Sequence, residues 1–257
     1  MSELPPAIQA ATLILYDESV PGPALHLMIE RSAAMAFMPG ALVFPGGRVE
    51  PGDRTLAAAP RTANAPADEE DAAARVAAIR ETLEEVGIAA GIRPAPDEAT
   101  ILAWRAALKS KSEFAALLEA GGHHLDLGQL VPFARWLPPM FAPRRFDTRF
   151  YVARRESDAV AVHDEDEAAH HLWLTAAQAL EEGEQGRHVV IFPTMANLAR
   201  LAVYPSFAQV LEHLAHTPVR LVVILQQEEN GVQVLRIPEG FGYPVFMREV
   251  QEAERLP

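Results

Sequence analysis

The sequence predicts an α/β (α+β) fold in a single domain spanning residues 1–257, and three observations carry that reading. Short apolar runs bounded by turn residues mark strands, with Pro21-Gly22-Pro23 separating a pair near the start and Asn230-Gly231 separating a pair near the end. The stretch from Asp68 to Val86 carries apolar residues at helical spacing and stops at Gly87. Further helical stretches interleave with strands in the second half, an order that by itself supports mixed α and β and nothing finer.

In chain order, strands are expected near Ala10 to Tyr16, Ala24 to Arg31 and Leu42 to Phe44. Arg54 to Ala67 is rich in alanine but interrupted by Pro60, Asn64 and Pro66, which suits a surface loop. Asp68 then offers an N-cap, and the acids behind it favour a helix N-terminus. Glu98 to Leu108 and Ser112 to Glu119 read as a helical pair ending at Gly121-Gly122, an insertion over 97–122. Strands follow at Val131 to Leu137, Arg149 to Ala153 and His171 to Trp173, then helices at Ala176 to Glu182, Pro193 to Val203 and Ser206 to His213. Arg220 to Gln226 and Val232 to Ile237 form a hairpin within a C-terminal extension, residues 215–257. It could cover the active site, form a homodimer or seal an edge, and the apolar content of the hairpin slightly favours the homodimer.

Composition narrows the chemistry. Hydrophobic residues make up 49% of the chain, yet no run of about 18 apolar residues occurs, so no membrane partner is expected. The start lacks a basic region followed by an apolar core, and the cytoplasm is the expected location. With no cysteine, thiolate catalysis and thiolate metal sites are excluded, leaving carboxylate, carbonyl, imidazole or water as ligands. A net charge of -13 argues against a nucleic-acid partner, which would need a broad basic footprint. It leaves room for one small anionic substrate.

Glu81, Glu84 and Glu85 project from one face of a helix because residues three and four apart are neighbours there. Like charges so close repel unless a cation lies between them, and Mg2+ and Mn2+ take oxygen ligands of this type. A solvated acidic face is the competing reading. What favours metal is the earlier stretch Ala41-Leu42-Val43-Phe44-Pro45-Gly46-Gly47-Arg48, a short strand running into glycines that permit close backbone approach.

Together these pieces resemble the signature of the Nudix hydrolases. Gly47 matches the motif glycine, and Arg80, Glu81, Glu84, Glu85, Gly87 and Ile88 match the helical half. Asp53 stands where the family has glutamate, and Thr82 where it has an aliphatic residue. The 26 residues from Arg54 to Ile79 far exceed the usual spacing, so residues 54–72 read as an insertion that loops out and leaves both halves of the site in place. This split motif is similar to the branch containing the peroxisomal coenzyme A diphosphatases of animals and their bacterial relatives. Arg144 to Tyr151 and Leu172 to Leu180 are similar to later segments of that branch.

The resemblance implies an α/β/α sandwich with a mixed sheet and metal-dependent hydrolysis of a nucleotide-linked diphosphate, coenzyme A or acyl-coenzyme A first. ADP-ribose or a dinucleotide is the alternative substrate, and a nucleotide-binding domain without catalysis the alternative class. It implies Mg2+ or Mn2+ at Glu81, Glu84, Glu85 and the Gly47 carbonyl, with Arg80 orienting the carboxylates. The general base comes from Glu84 or Glu85, or from a later acidic run in which Glu165 and Glu167 are the candidates. Arg31, Arg48, Arg144 and Arg145 are candidates for gripping phosphate, and Phe44 for meeting the substrate.

Overall fold

The protein is described by a computed structural model covering residues 7–31, 40–138, 145–156, 171–244 and 247–250. The elements are, in order, β1 (Ile8–Tyr16), β2 (Leu25–Glu30), β3 (Leu42–Val43), β4 (Gly46–Arg48), α1 (Pro51–Ala57), β5 (Thr62–Ala63) and α2 (Glu69–Val86). Then come β6 (Ile92–Arg93), α3 (Glu98–Lys109), α4 (Phe114–Ala120), β7 (His124–Asp126), β8 (Val131–Leu137) and β9 (Phe146–Arg154). The chain continues through β10 (His171–Thr175), α5 (Ala176–Glu184), α6 (Phe192–Val203), α7 (Phe207–His216), β11 (Leu221–Val223), β12 (Leu225–Glu229), β13 (Val232–Arg236) and β14 (Met247–Glu249).

The main sheet has the order β11-β8-β9-β1-β4 and is mixed. β1 runs parallel to β9 over its full length, from Ile8 opposite Phe146 to Tyr16 opposite Arg154, and antiparallel to β4. A second sheet, β10-β2-β3, is antiparallel. Both faces of β1 are covered, which is why its sequence is nearly continuously apolar. Ala11, Leu13 and Leu15 share one core with Val76, Ile79 and Leu83 of α2. Ile14 and Tyr16 share a second with Leu198 and Leu201 of α6. The expected sandwich is present.

The insertion differs from the expected loop. Residues 51–57 form helix α1, started by Pro51, whose fixed φ suits a first helical turn, with Asp53 closing a capping box with Glu50. Gly52 and Thr55 are poor helix formers, so packing of Leu56 and Ala57 holds it. Leu56 and Ala57 are buried in the α2 core, so the segment folds back rather than looping out. β5 pairs in parallel with β7, which also pairs with β6, and this small sheet ties the insertion to the helical pair α3 and α4. The start of α2 is as expected, with the Asp68 carboxylate accepting from the N–H groups of Glu70 and Asp71. At the other end of the chain, Asn230 and Gly231 both have positive φ, as a two-residue hairpin turn requires, and β14 adds a third strand.

Candidate active site

β4 and α2 build the site between them. The Gly46 N–H donates to Glu85 Oε2 at 2.9 Å. A Cβ on Gly47 would overlap the carboxyl carbon and both oxygens of Glu81, so only glycine lets the helix carboxylate lie against this strand. The two halves of the motif, far apart in sequence, are therefore in contact through both glycines.

Arg80 holds that contact together. Its Nε and Nη2 donate to Asp53 Oδ1 and Oδ2 at 2.9 and 3.0 Å, a fork-to-fork pair. Nη2 also donates to the Arg48 carbonyl at 3.0 Å, and Nη1 to Glu81 Oε1 at 2.9 Å. Glu84 Oε2 lies 3.6 Å from Nη1. Burial alone would lower the Arg80 pKa, but Asp53 and Glu81 outweigh it and hold the guanidinium above its ordinary value. Asp53 is 2% exposed and its Oδ2 also accepts from the Glu50 N–H, so the shorter acid is fully used at the first turn of α1. Thr82, the other departure, is fully buried and donates within α2 to the Ala78 carbonyl at 2.7 Å.

The helix carboxylates are electrostatically unfavourable as they stand. Burial pushes Glu85 up to about 8, with the Glu81 charge adding to it and the Gly46 N–H and Arg31 opposing it. Burial also raises Glu81, against the pull of Arg80. Among the described residues no three His, Cys, Asp or Glu side chains gather as a ready metal cluster. The donor set nevertheless fits a hard divalent ion: all ligand candidates are oxygens, and a cation at this face would relieve the strain that burial and mutual repulsion place on Glu81 and Glu85.

The C-terminal end of α2 is fixed from outside the motif. Gly87 takes the left-handed conformation and its N–H caps the Leu83 carbonyl. Arg105 of α3, 5% exposed, donates from Nε to the Glu84 carbonyl at 3.1 Å and from Nη2 to the Glu85 carbonyl at 2.9 Å. The sequence reading missed this arginine; its only signal is a cation on the buried face of α3.

The remaining candidates divide. Arg31 acts on Glu85 by its charge, so it lies near the carboxylate face. Arg48 is exposed on β4 with its guanidinium 5.6 Å from the centre of the Phe146 ring. Arg145 has a buried Nε without a hydrogen-bond partner among the described residues, beside the start of β9. Phe44, expected to meet the substrate, is 4% exposed and packs in the α6 core with Met28 and Leu42. Arg144, Glu165 and Glu167 lie outside the described residues.

A family model described as the NUDT19 Nudix domain matches residues 54–201, more than half of the chain, beginning one residue after Asp53. The chain belongs to this Nudix family. It is 30% identical over 232 residues to the acyl-coenzyme A diphosphatase NUDT19 of Gallus gallus, a match over 70% of this chain and 61% of the chicken protein. It is 23% identical over 270 residues to the protein of that name in Xenopus laevis, over 85% of this chain and 71% of that one. A solved NUDIX hydrolase from Alicyclobacillus acidocaldarius superposes with a TM-score of 0.70 at 28% identity, covering 80% of this chain and 96% of that chain. The Nudix fold is thus shown, and this family typically depends on a divalent metal. No helix among the described residues is long and apolar enough to cross a membrane.

Proposed function

We propose that this chain hydrolyses the diphosphate of coenzyme A or an acyl-coenzyme A, giving phosphopantetheine, acylated where the substrate is, and adenosine 3',5'-bisphosphate. The observation that carries the reading is the Arg80 clamp, which rejoins a split Nudix motif around three carboxylates. The names of the chicken and frog relatives point to the same substrate class.

In this reaction water adds its oxygen to one phosphorus, the bridging P–O bond breaks, and the leaving phosphate takes the bridging oxygen. Mg2+ or Mn2+, when bound, would neutralise diphosphate oxygens and lower the pKa of water. Glu81, Glu84, Glu85 and the Gly47 carbonyl are the residues that would hold it, while Arg80 fixes the Glu81 carboxylate in place. Arg31, Arg48 and Arg145 supply positive charge for the phosphates in a chain that is otherwise acidic. Glu84 or Glu85 from the helix, or Glu165 or Glu167 from the later run, accepts the water's proton.

Turnover of coenzyme A, an acyl-coenzyme A, ADP-ribose and a dinucleotide by the purified chain with Mg2+ or Mn2+ tests the reading. Coenzyme A compounds should be turned over fastest. Equal or faster hydrolysis of ADP-ribose would overturn the substrate assignment, and no hydrolysis of any would leave a binding domain.

A further inference from the structure

A cavity of about 300 Å3, part polar and part aromatic, lies where the C-terminal extension meets β8, α6 and the end of α7. Arg200, Arg220, Phe133, His216, Phe241 and Tyr243 line it. Phe133, Phe241 and Tyr243 belong to the core on the α6 side of the main sheet, whereas α2 packs in the other core. The cavity is therefore across the sheet from Glu81, Glu84 and Glu85.

Arg200 is 4% exposed, and its partners are all uncharged. It donates from Nη1 to the Phe133 carbonyl at 3.0 Å and from Nη2 to His213 Nε2 at 2.8 Å, and lies over the rings of Phe133 and Tyr243. His213 Nε2 accepts from Arg200, which only a neutral imidazole can do, and burial and the Arg200 charge push its pKa down. Arg220 is exposed, lies over the Phe241 ring and donates to the Gly240 carbonyl. Among the described residues neither guanidinium has a carboxylate partner. A buried cation without a counter-charge is costly, and it is surprising in a chain with a net charge of -13. Close by, Asn197 Oδ1 accepts from Trp136 Nε1 and from the Tyr243 hydroxyl, while its Nδ2, fully buried, has no partner.

We propose that this cavity binds a small organic anion, a phosphate monoester or carboxylate carried on a compact ring. Guanidinium forks fit both anionic groups, the aromatic side chains supply the surface for the ring, and the volume is that of a small-ligand pocket. Arg220 would meet the anion at the mouth and Arg200 would supply charge from within. The proposal stands apart from the diphosphatase reading.

Calorimetric titration of the full chain without added metal, using inorganic phosphate, adenosine monophosphate and benzoate, tests it. One of the two organic anions should bind at a single site more tightly than inorganic phosphate, and which one tells phosphate monoester from carboxylate. Arg220→Ala should weaken that binding about tenfold or more with an unchanged Tm, and Arg200→Gln, which keeps a donor for the Phe133 carbonyl, should weaken it as well. No binding of either organic anion at millimolar concentration would overturn the proposal. So would binding that survives Arg220→Ala but is lost in Glu84→Gln, because the anion would then occupy the diphosphate site.

Discussion

Arg80 and Arg200 are both buried guanidiniums, 7% and 4% exposed, on helices packed against opposite faces of one sheet, and they differ in what surrounds them. Arg80 is ringed by the Asp53 and Glu81 carboxylates, with Glu84 within reach. Arg200 has a carbonyl, a neutral imidazole and aromatic rings. The first therefore organises negative charge that the fold already holds, and removing it strands anions. The second holds charge that the described residues leave unanswered, and removing it strands only uncharged acceptors, a carbonyl and an imidazole nitrogen.

The largest difference should appear when each is made apolar. Arg80→Met leaves the Asp53 and Glu81 carboxylates without their cation, a loss of about 3–5 kcal/mol, together with loss of hydrolysis. Arg200→Met leaves the Phe133 carbonyl unpaired, at about 1–3 kcal/mol. Denaturant unfolding of both variants checks the ranking, and equal losses would break the comparison. Within the Arg80 region, Glu84→Gln should lower hydrolysis by more than the ~10–100-fold that loss of a supporting partner costs, with Tm little changed. Full activity in that variant would remove Glu84 from the reaction.

The two regions also differ in how much of them the sequence shows. Glu81, Glu84 and Glu85 are legible because helical spacing puts them on one face, and Gly87 because it ends a periodic run. The strands Val131–Leu137 and Ile8–Tyr16 are legible because both faces of the sheet are covered. Helix α1 is not, because Arg54 to Ala57 run into alanines and Pro60 and read with them as loop until Leu56 and Ala57 are seen to dock on α2. Asp53 looks like a departure from the motif until the fork with Arg80 shows it in use. Phe44 ends an expected strand beside the motif glycines, and which way its ring faces is decided by tertiary contacts, which place it in the α6 core. The Arg200 cavity joins residues from β8 to the C-terminal extension, and no local spacing brings them together.

Arg105 sharpens the comparison from outside the motif, since it ties the helical insertion to the carbonyls of Glu84 and Glu85, whose carboxylates are the proposed metal ligands. Arg105→Ala should cost about 1.5–3 kcal/mol, as loss of charged hydrogen bonds at a helix C-terminus does. Hydrolysis should fall with it, because the last turn of α2 carries Glu84 and Glu85. A Tm loss with unchanged turnover would make α3 a structural prop alone.

The last effect concerns pH and follows from the contrast between crowded and unanswered charge. In metal-free protein Glu85 is raised from 4.5 to about 8, so between those values the folded state keeps a proton that the unfolded chain has released. Stability from this group is fully present below the unfolded pKa and is lost as pH rises through the folded one, so Tm should decline from about pH 5 to pH 8. Glu85→Gln, which cannot ionise, should flatten that decline. Mg2+ should oppose it in the unmodified chain, because a bound cation favours the carboxylate and so stabilises the folded state most where Glu85 is ionised. A Tm profile with the same slope in both proteins, with or without Mg2+, would show that the carboxylate face holds its charge without a cation, and the contrast between Arg80 and Arg200 would then rest on packing alone.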